Sequence, residues 1–305
     1  SWATRIEGSN QAGIYSYQQP MAGLLRAFKD KVRGIALGLG YEEMIFPRHY
    51  REGALEAFGW TEHPGLNLEL MALAPLNPSE ARSNYKLLGD PVQCLGFYET
   101  LRVIQERNGG SIPAEVFDSP LKVYEDQGGW TVRNELHERL RGGFATGFEF
   151  SGAELVWAGN EDDSYSTRWE TLSAVIGFME DMGLKYRVTI SGSCSRDAKY
   201  PDLAGQEMSL YEIPTLDVEV FIPSLEAEGK NPWIEIGGGD IAGVRLTENF
   251  GLEMGDGSKI YSGCQGVGWQ RIAYGMLSQK GLDPTNWPSE LRSSFSTSRL
   301  NDLLE

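Results

Sequence analysis

The chain has 305 residues, 41% of them hydrophobic, and a formal net charge of −16. Three cysteines rule out a disulfide framework and point to a reducing, cytoplasmic compartment, and no apolar run is long enough for a bilayer span or a secretory core segment. The acidic balance disfavours a partner gripped through many phosphates, and only His49, His63 and His137 are available for imidazole acid–base work.

Residues 1–12 are polar and read as an N-terminal arm or an appended remnant; 13–305 read as a single domain. Pro20 to Leu39 predicts a helix, with Met21, Leu24, Leu25, Phe28, Val32 and Ile35 at three- and four-residue steps and Pro20 suited to the first turn. Tyr41 to Pro47 predicts a strand. Prolines 64, 75, 78 and 91 interrupt residues 51–92. Cys94 precedes a helix expected over Gly96–Arg107. Trp130–Glu135 and Phe148–Trp157 read as the two strands of a hairpin joined by a polar, Gly-ended loop. A helix follows over Ser164–Met182, then strands over Tyr186–Ile190, Thr215–Ile222, Trp233–Ile236 and Val244–Leu252, and a last helix over Gly268–Gln279. Helices and strands without regular βαβ alternation predict an α+β fold with a mostly antiparallel sheet flanked by helices.

Three stretches carry chemistry. In the hairpin, alternation puts Phe148, Phe150, Gly152, Glu154 and Val156 on one face, and Arg133 and Glu135 share a face of the partner strand. Glu154 interrupts an otherwise apolar row, which fits either a paired or ligating carboxylate or a solvent-facing surface. In Trp233-Ile-Glu235-Ile-Gly-Gly-Gly-Asp240, a carboxylate beside a glycine loop suits Mg²⁺ with a phosphate, or is a strand end with a turn. In Tyr261-Ser-Gly-Cys264-Gln-Gly-Val-Gly-Trp-Gln-Arg271, glycines at a strand–helix junction permit close backbone approach, the helix start favours anions, and Arg271 adds a planar charge.

This order, an Arg-x-Glu strand, a Phe-x-x-x-Glu return strand, a carboxylate strand and a Gly-rich junction with Arg, resembles the catalytic domain of class II aminoacyl-tRNA synthetases, with the 20–47 helix and strand like their motif 1. The likeness runs from about Gly13 to Pro288. Ser-Gly-Cys264-x-Gly-x-Gly-x-x-Arg271 and the 279–288 tail are similar to two related groups: the methanogen-type seryl-tRNA synthetases and the amino acid:[carrier protein] ligases. The resemblance implies Zn²⁺ on Cys94, Glu154 and Cys264, holding the α-amino group of the substrate. It implies Arg133 at the α-phosphate and the amino-acid carboxylate, Phe150 and Arg271 on the two faces of adenine, Glu135 at its amino group, and Glu235 holding Mg²⁺ on the phosphates of ATP. The chain departs from the family at Thr146, where Arg is usual and Arg139 or Arg141 would have to substitute. It departs also at Gly237–Gly239 and Asp240, and at Gln270 in place of Glu.

The favoured expectation is a tRNA-independent enzyme that activates glycine, alanine or serine and passes it to a carrier-protein phosphopantetheine thiol. The motifs begin within twenty residues of Ser1, and the acidic charge makes tRNA an unfavoured partner. The alternatives are a zinc-dependent seryl-tRNA synthetase and a non-catalytic relative acting as a binding module. The resemblance also implies a homodimer through the motif 1 elements. Cys194 reads as structural, and Trp157, Trp233 and Trp269 as either pocket walls or core.

Overall fold

The structure is a computed structural model that describes residues 3–5, 15–61, 72–73, 87–89, 92–126, 131–132, 149–191, 213 and 215–292. Its frame is a sheet of seven strands: β1 (Glu42–Met44), β2 (Leu121–Glu125), β3 (Gly152–Gly159), β4 (Tyr186–Ser191), β5 (Thr215–Phe221), β6 (Trp233–Gly243) and β7 (Tyr261–Gly268). The spatial order is β4-β5-β6-β7-β3-β2-β1. Every pairing is antiparallel except that of β1 with β2, at one edge.

Alternation assigns the two faces. In β5, Leu216, Val218 and Val220 are buried in the larger core, whereas Asp217 and Glu219 sit at the intervening positions. The long helices α1 (Met21–Gly38), α3 (Glu161–Asp181) and α4 (Trp269–Lys280) cover that core. The buried positions of α1, Leu24, Phe28, Val32 and Ala36, lie four apart along one stripe. Phe28 meets Phe178 of α3 edge-on, with ring centroids 6.0 Å apart.

A second core lies on the opposite face. Here α2 (Leu95–Arg107) packs Phe97, Tyr98 and Leu101 against Val123 of β2, Val156 and Ala158 of β3, and Phe250. Tyr98 stacks on Phe250 at 5.1 Å and meets Phe97 edge-on at 5.5 Å. This packing fixes the first turn of α2, whose N-cap residue is Cys94, over the sheet.

Three expectations need correction. Val244–Leu252 contains a short helix, Arg245–Asn249, and not a strand. Leu246 and Phe250 are four apart and buried on one side, and Thr247 donates to the Ile260 carbonyl at 2.6 Å. The glycines 237–239 are inside β6, not in a loop. The expected Phe148–Trp157 strand is split at Ser151: Glu149–Phe150 pairs with Thr131–Val132 in a separate ribbon, and β3 begins at Gly152. In the N-terminal segment, Ala3–Arg5 pairs with Tyr15–Tyr17. No helix among the described residues is long and apolar enough to cross a membrane.

If the α1–α3 contact is a principal tie of the larger core, Phe178→Ala lowers unfolding stability by about 3–5 kcal/mol in urea titration; a loss below about 1 kcal/mol contradicts that placement.

Candidate active site and metal centre

Cys94, Glu154 and Cys264 come from segments far apart in sequence and are all buried. Their ligand atoms lie within 4.8 Å of one another. Each element contributes for a local reason. Cys94 is delivered by the start of α2, just after Gln93, whose backbone takes a left-handed φ of 64°. Glu154 and Cys264 come from neighbouring strands, where Glu154 faces Gly266 and Cys264 faces Val156. Gly266 matters for a steric reason: a Cβ there would stand 3.2 Å from Glu154 Oε2. On the other side of Glu154, directly opposite it in register, is Glu125 of β2, which is fully buried. Two carboxylates facing each other across a strand pair repel, and burial out of water raises the cost of both charges. Together with two thiols they form a donor set that favours a cation.

The same face extends across β6 and β5. Asp217 is opposite Gly238, and a Cβ on Gly238 would stand 2.5 Å from Asp217 Oδ1. Burial, and next the nearby Glu235 carboxylate, push the Asp217 carboxyl up to about 7, against a hydrogen bond with Ser191 that favours the charged form. Asp240, also buried, accepts from Thr215 Oγ1 at 2.6 Å. Glu219 pairs with Arg187.

A second grouping forms where β7 runs into α4. The Trp269 amide donates to the Ser151 carbonyl at 2.9 Å, and the Ser151 amide donates to Gln270 Oε1 at 2.8 Å. This clasp holds the link between Phe150 and β3 against the start of α4, so Phe150 and Arg271 each lie one residue from it. Arg271 Nη1 donates to the Glu235 carbonyl at 3.2 Å, which places the arginine beside the carboxylate strand. Glu235 itself is exposed.

Of the residues singled out in the sequence, the structure brings together Cys94, Glu154 and Cys264 in one cluster, and Glu235 with Arg271 in another. Arg133, Glu135, Arg139, Arg141, Thr146 and Cys194 lie outside the described residues, and Phe150 is described only through its backbone pairing with Thr131. Trp157 and Trp269 are core: both are at most 2% exposed, and Trp157 Nε1 donates to Ser164 Oγ at 3.0 Å. Trp233 packs edge-on against Phe221 at 5.2 Å. Asp217, which the sequence reading does not single out, lies on the same face as Glu154 and Cys264. Its signal was the polar step in Thr215-Leu-Asp-Val-Glu, visible but unremarkable until strand register places it beside Gly238.

No family model matches the chain. The type-2 serine–tRNA ligase of Methanopyrus kandleri is 27% identical over 326 residues, covering 95% of this chain and 57% of that protein. That of Methanococcoides burtonii is 28% identical over 277 residues, covering 83% and 52%. Among solved structures, M. kandleri SerRS in complex with A. aeolicus tRNASec matches with a TM-score of 0.78 at 24% identity, over 96% of this chain and 58% of that one. The fold is that of a class II aminoacyl-tRNA synthetase catalytic domain.

The relatives overturn the expectation of carrier-protein transfer and of tRNA as an unfavoured partner, because they are named for ligating serine to tRNA. Two premises failed. Net charge sums over the whole chain and carries no position, so it does not describe the surface that would meet a tRNA end. The chain spans a little over half the length of the M. kandleri ligase, 57%, so the position of Ser1 says nothing about a tRNA-binding portion.

Asp217 also gives a pH signature. Its carboxyl ordinarily titrates near 3.8 and is raised to about 7 in the fold, so the native state binds its proton more tightly. Stability is therefore lost as pH rises through that window. Asp217→Asn removes this penalty and raises Tm of the metal-free chain more at about pH 8 than at about pH 5; an equal effect at both pH values refutes the assignment.

Proposed function

We propose that this chain is the catalytic portion of a type-2 serine–tRNA ligase, residues 13–305 forming the domain that activates serine with ATP before its transfer to tRNA. The observation that carries the reading is the buried Cys94–Glu154–Cys264 cluster, with ligand atoms within 4.8 Å of one another, on the sheet of a class II synthetase fold. Tetrahedral zinc with sulfur ligands at about 2.3 Å spaces those ligands by about 3.8 Å, so the donor set fits this metal in both chemistry and size. Zinc held by three protein ligands supplies an open fourth position for the neutral α-amino group of an amino acid.

The remaining chemistry belongs to the chain's own residues. Arg133 would bridge the α-phosphate and the amino-acid carboxylate, as a rigid fork of donors suits both. Phe150 and Arg271, on either side of the Ser151–Gln270 clasp, would cover the two faces of adenine, with Glu135 accepting from its amino group. Glu235 would hold Mg²⁺ on the phosphates. The serine carboxylate oxygen attacks the α-phosphorus in line, a new P–O bond forms, and the bond to pyrophosphate breaks. The nucleophile is already ionised, so no protein base is required. Orientation and charge stabilisation supply the rate. The tRNA terminal hydroxyl then attacks the activated carbonyl, with AMP as leaving group.

The test is ATP–pyrophosphate exchange on zinc-loaded protein. Serine supports exchange, and Cys264→Ser loses bound zinc and about 100-fold or more of the exchange rate while its circular dichroism is unchanged. Absence of exchange with serine, or full exchange by a metal-free Cys264→Ser protein, overturns the proposal. Transfer to a tRNA, followed by acid-stable precipitation of labelled serine, tests the second step.

A further inference from the structure

Resting on the activation chemistry above, we propose that Asp217 reads the side chain of the substrate, accepting a hydrogen bond from its β-hydroxyl and so selecting serine over alanine and glycine. The geometry is a single row running across four strands. Glu154 on β3 is opposite Gly266 on β7. The pairing of Gly239 with Gln265 sets Gly238 of β6 beside Gly266, and Gly238 is opposite Asp217 on β5. The row therefore has a carboxylate at each end and two glycines between.

Those glycines make a floor. A Cβ at Gly266 would meet Glu154 Oε2 at 3.2 Å, and one at Gly238 would meet Asp217 Oδ1 at 2.5 Å. Both carboxylates thus lean inward over the positions where side chains are missing. Cβ positions on directly paired residues are about 5 Å apart. The metal cluster lies at one end of this row and Asp217 at the other, so an amino acid held by its amine at the cluster extends along the row toward Asp217. With the amine at the cluster, the β-carbon of the substrate lies over the glycine floor and its hydroxyl points to Asp217.

Three other acids of this face are placed differently. Glu219 pairs with Arg187, Asp240 accepts from Thr215, and Glu235 is exposed beside Arg271. Asp217 is half-buried and oriented by Ser191. A rival role for it, as a second carboxylate with Glu235 on Mg²⁺, makes a different prediction and is separated by the experiment.

Zinc-loaded native chain, Asp217→Ala and Asp217→Asn are compared by calorimetric titration with serine, alanine and glycine, and by ATP–pyrophosphate exchange with each. Native protein prefers serine. The hydrogen bond to the substrate hydroxyl is lost in Asp217→Ala, so serine affinity and kcat/KM fall about 10-fold while those for alanine change less than about 3-fold. Asp217→Asn keeps the volume and loses less of the preference; it decides the matter if Asp217→Ala fails to fold. Equal losses for serine and alanine overturn the proposal, as does an unchanged serine:alanine ratio with a shifted Mg²⁺ requirement. If native protein activates alanine as well as serine, this inference fails and the activation reading stands. If native protein activates no amino acid, the activation reading fails, and the inference with it.

Discussion

The register of β3 against β7 is the constraint on which the site depends. Side chains alternate with a period of two, so a slip of one residue would send Glu154 and Cys264 to the helix-covered face. The register is locked from behind. Leu155, Trp157 and Val267 are buried in the larger core, and the indole of Trp157 is tied to Ser164 of α3 at 3.0 Å. One face of the two strands thus supplies packing energy, and the other presents a thiol and a carboxylate. The third member of the cluster, Cys94, arrives at the start of α2, which is held by a separate aromatic cluster around Tyr98 and Phe250.

Charge gives this face its character. Glu125, Glu154 and Asp240 are buried, and Asp217 is held against its preference for water. Concentrating acids in a low dielectric is costly unless cations or hydrogen bonds offset them. On the proposed reading, a metal at the cysteines, a magnesium at the phosphates and the guanidinium of Arg271 would supply the offset where an amino acid and a nucleotide meet. The Ser151 clasp links the two halves of that arrangement, since it binds the start of α4 to the lead-in of β3 through backbone groups.

Much of this was legible in the sequence because it rests on local periodicity or on rare residue types. The stripe of α1, the strand–helix junction at Cys264 and Arg271, and the odd carboxylate Glu154 in an apolar strand all stood out. Other parts were not legible because they depend on pairing. Gly237–Gly239 read as a loop when composition alone was considered, yet neighbouring strands hold them in β6. The helix at Arg245–Asn249 was hidden by a run of apolar residues that suits either period. Asp217 reads in the sequence as an ordinary outward-facing acid, and only strand pairing sets it opposite Gly238, on the face that carries Glu154 and Cys264. Net charge misdirects the choice of acceptor for a further reason: a chain-wide charge is an average, and recognition is local.

An anomalous-difference map collected at the zinc absorption edge, from crystals grown with zinc and serine, decides whether the Cys94–Glu154–Cys264 cluster holds the metal and the substrate amine. One strong peak is expected within bonding distance of Cys94 Sγ, Cys264 Sγ and a Glu154 carboxylate oxygen, with the serine nitrogen as fourth neighbour. No peak at this cluster in crystals of protein that activates serine, or serine bound elsewhere on the sheet, would contradict it.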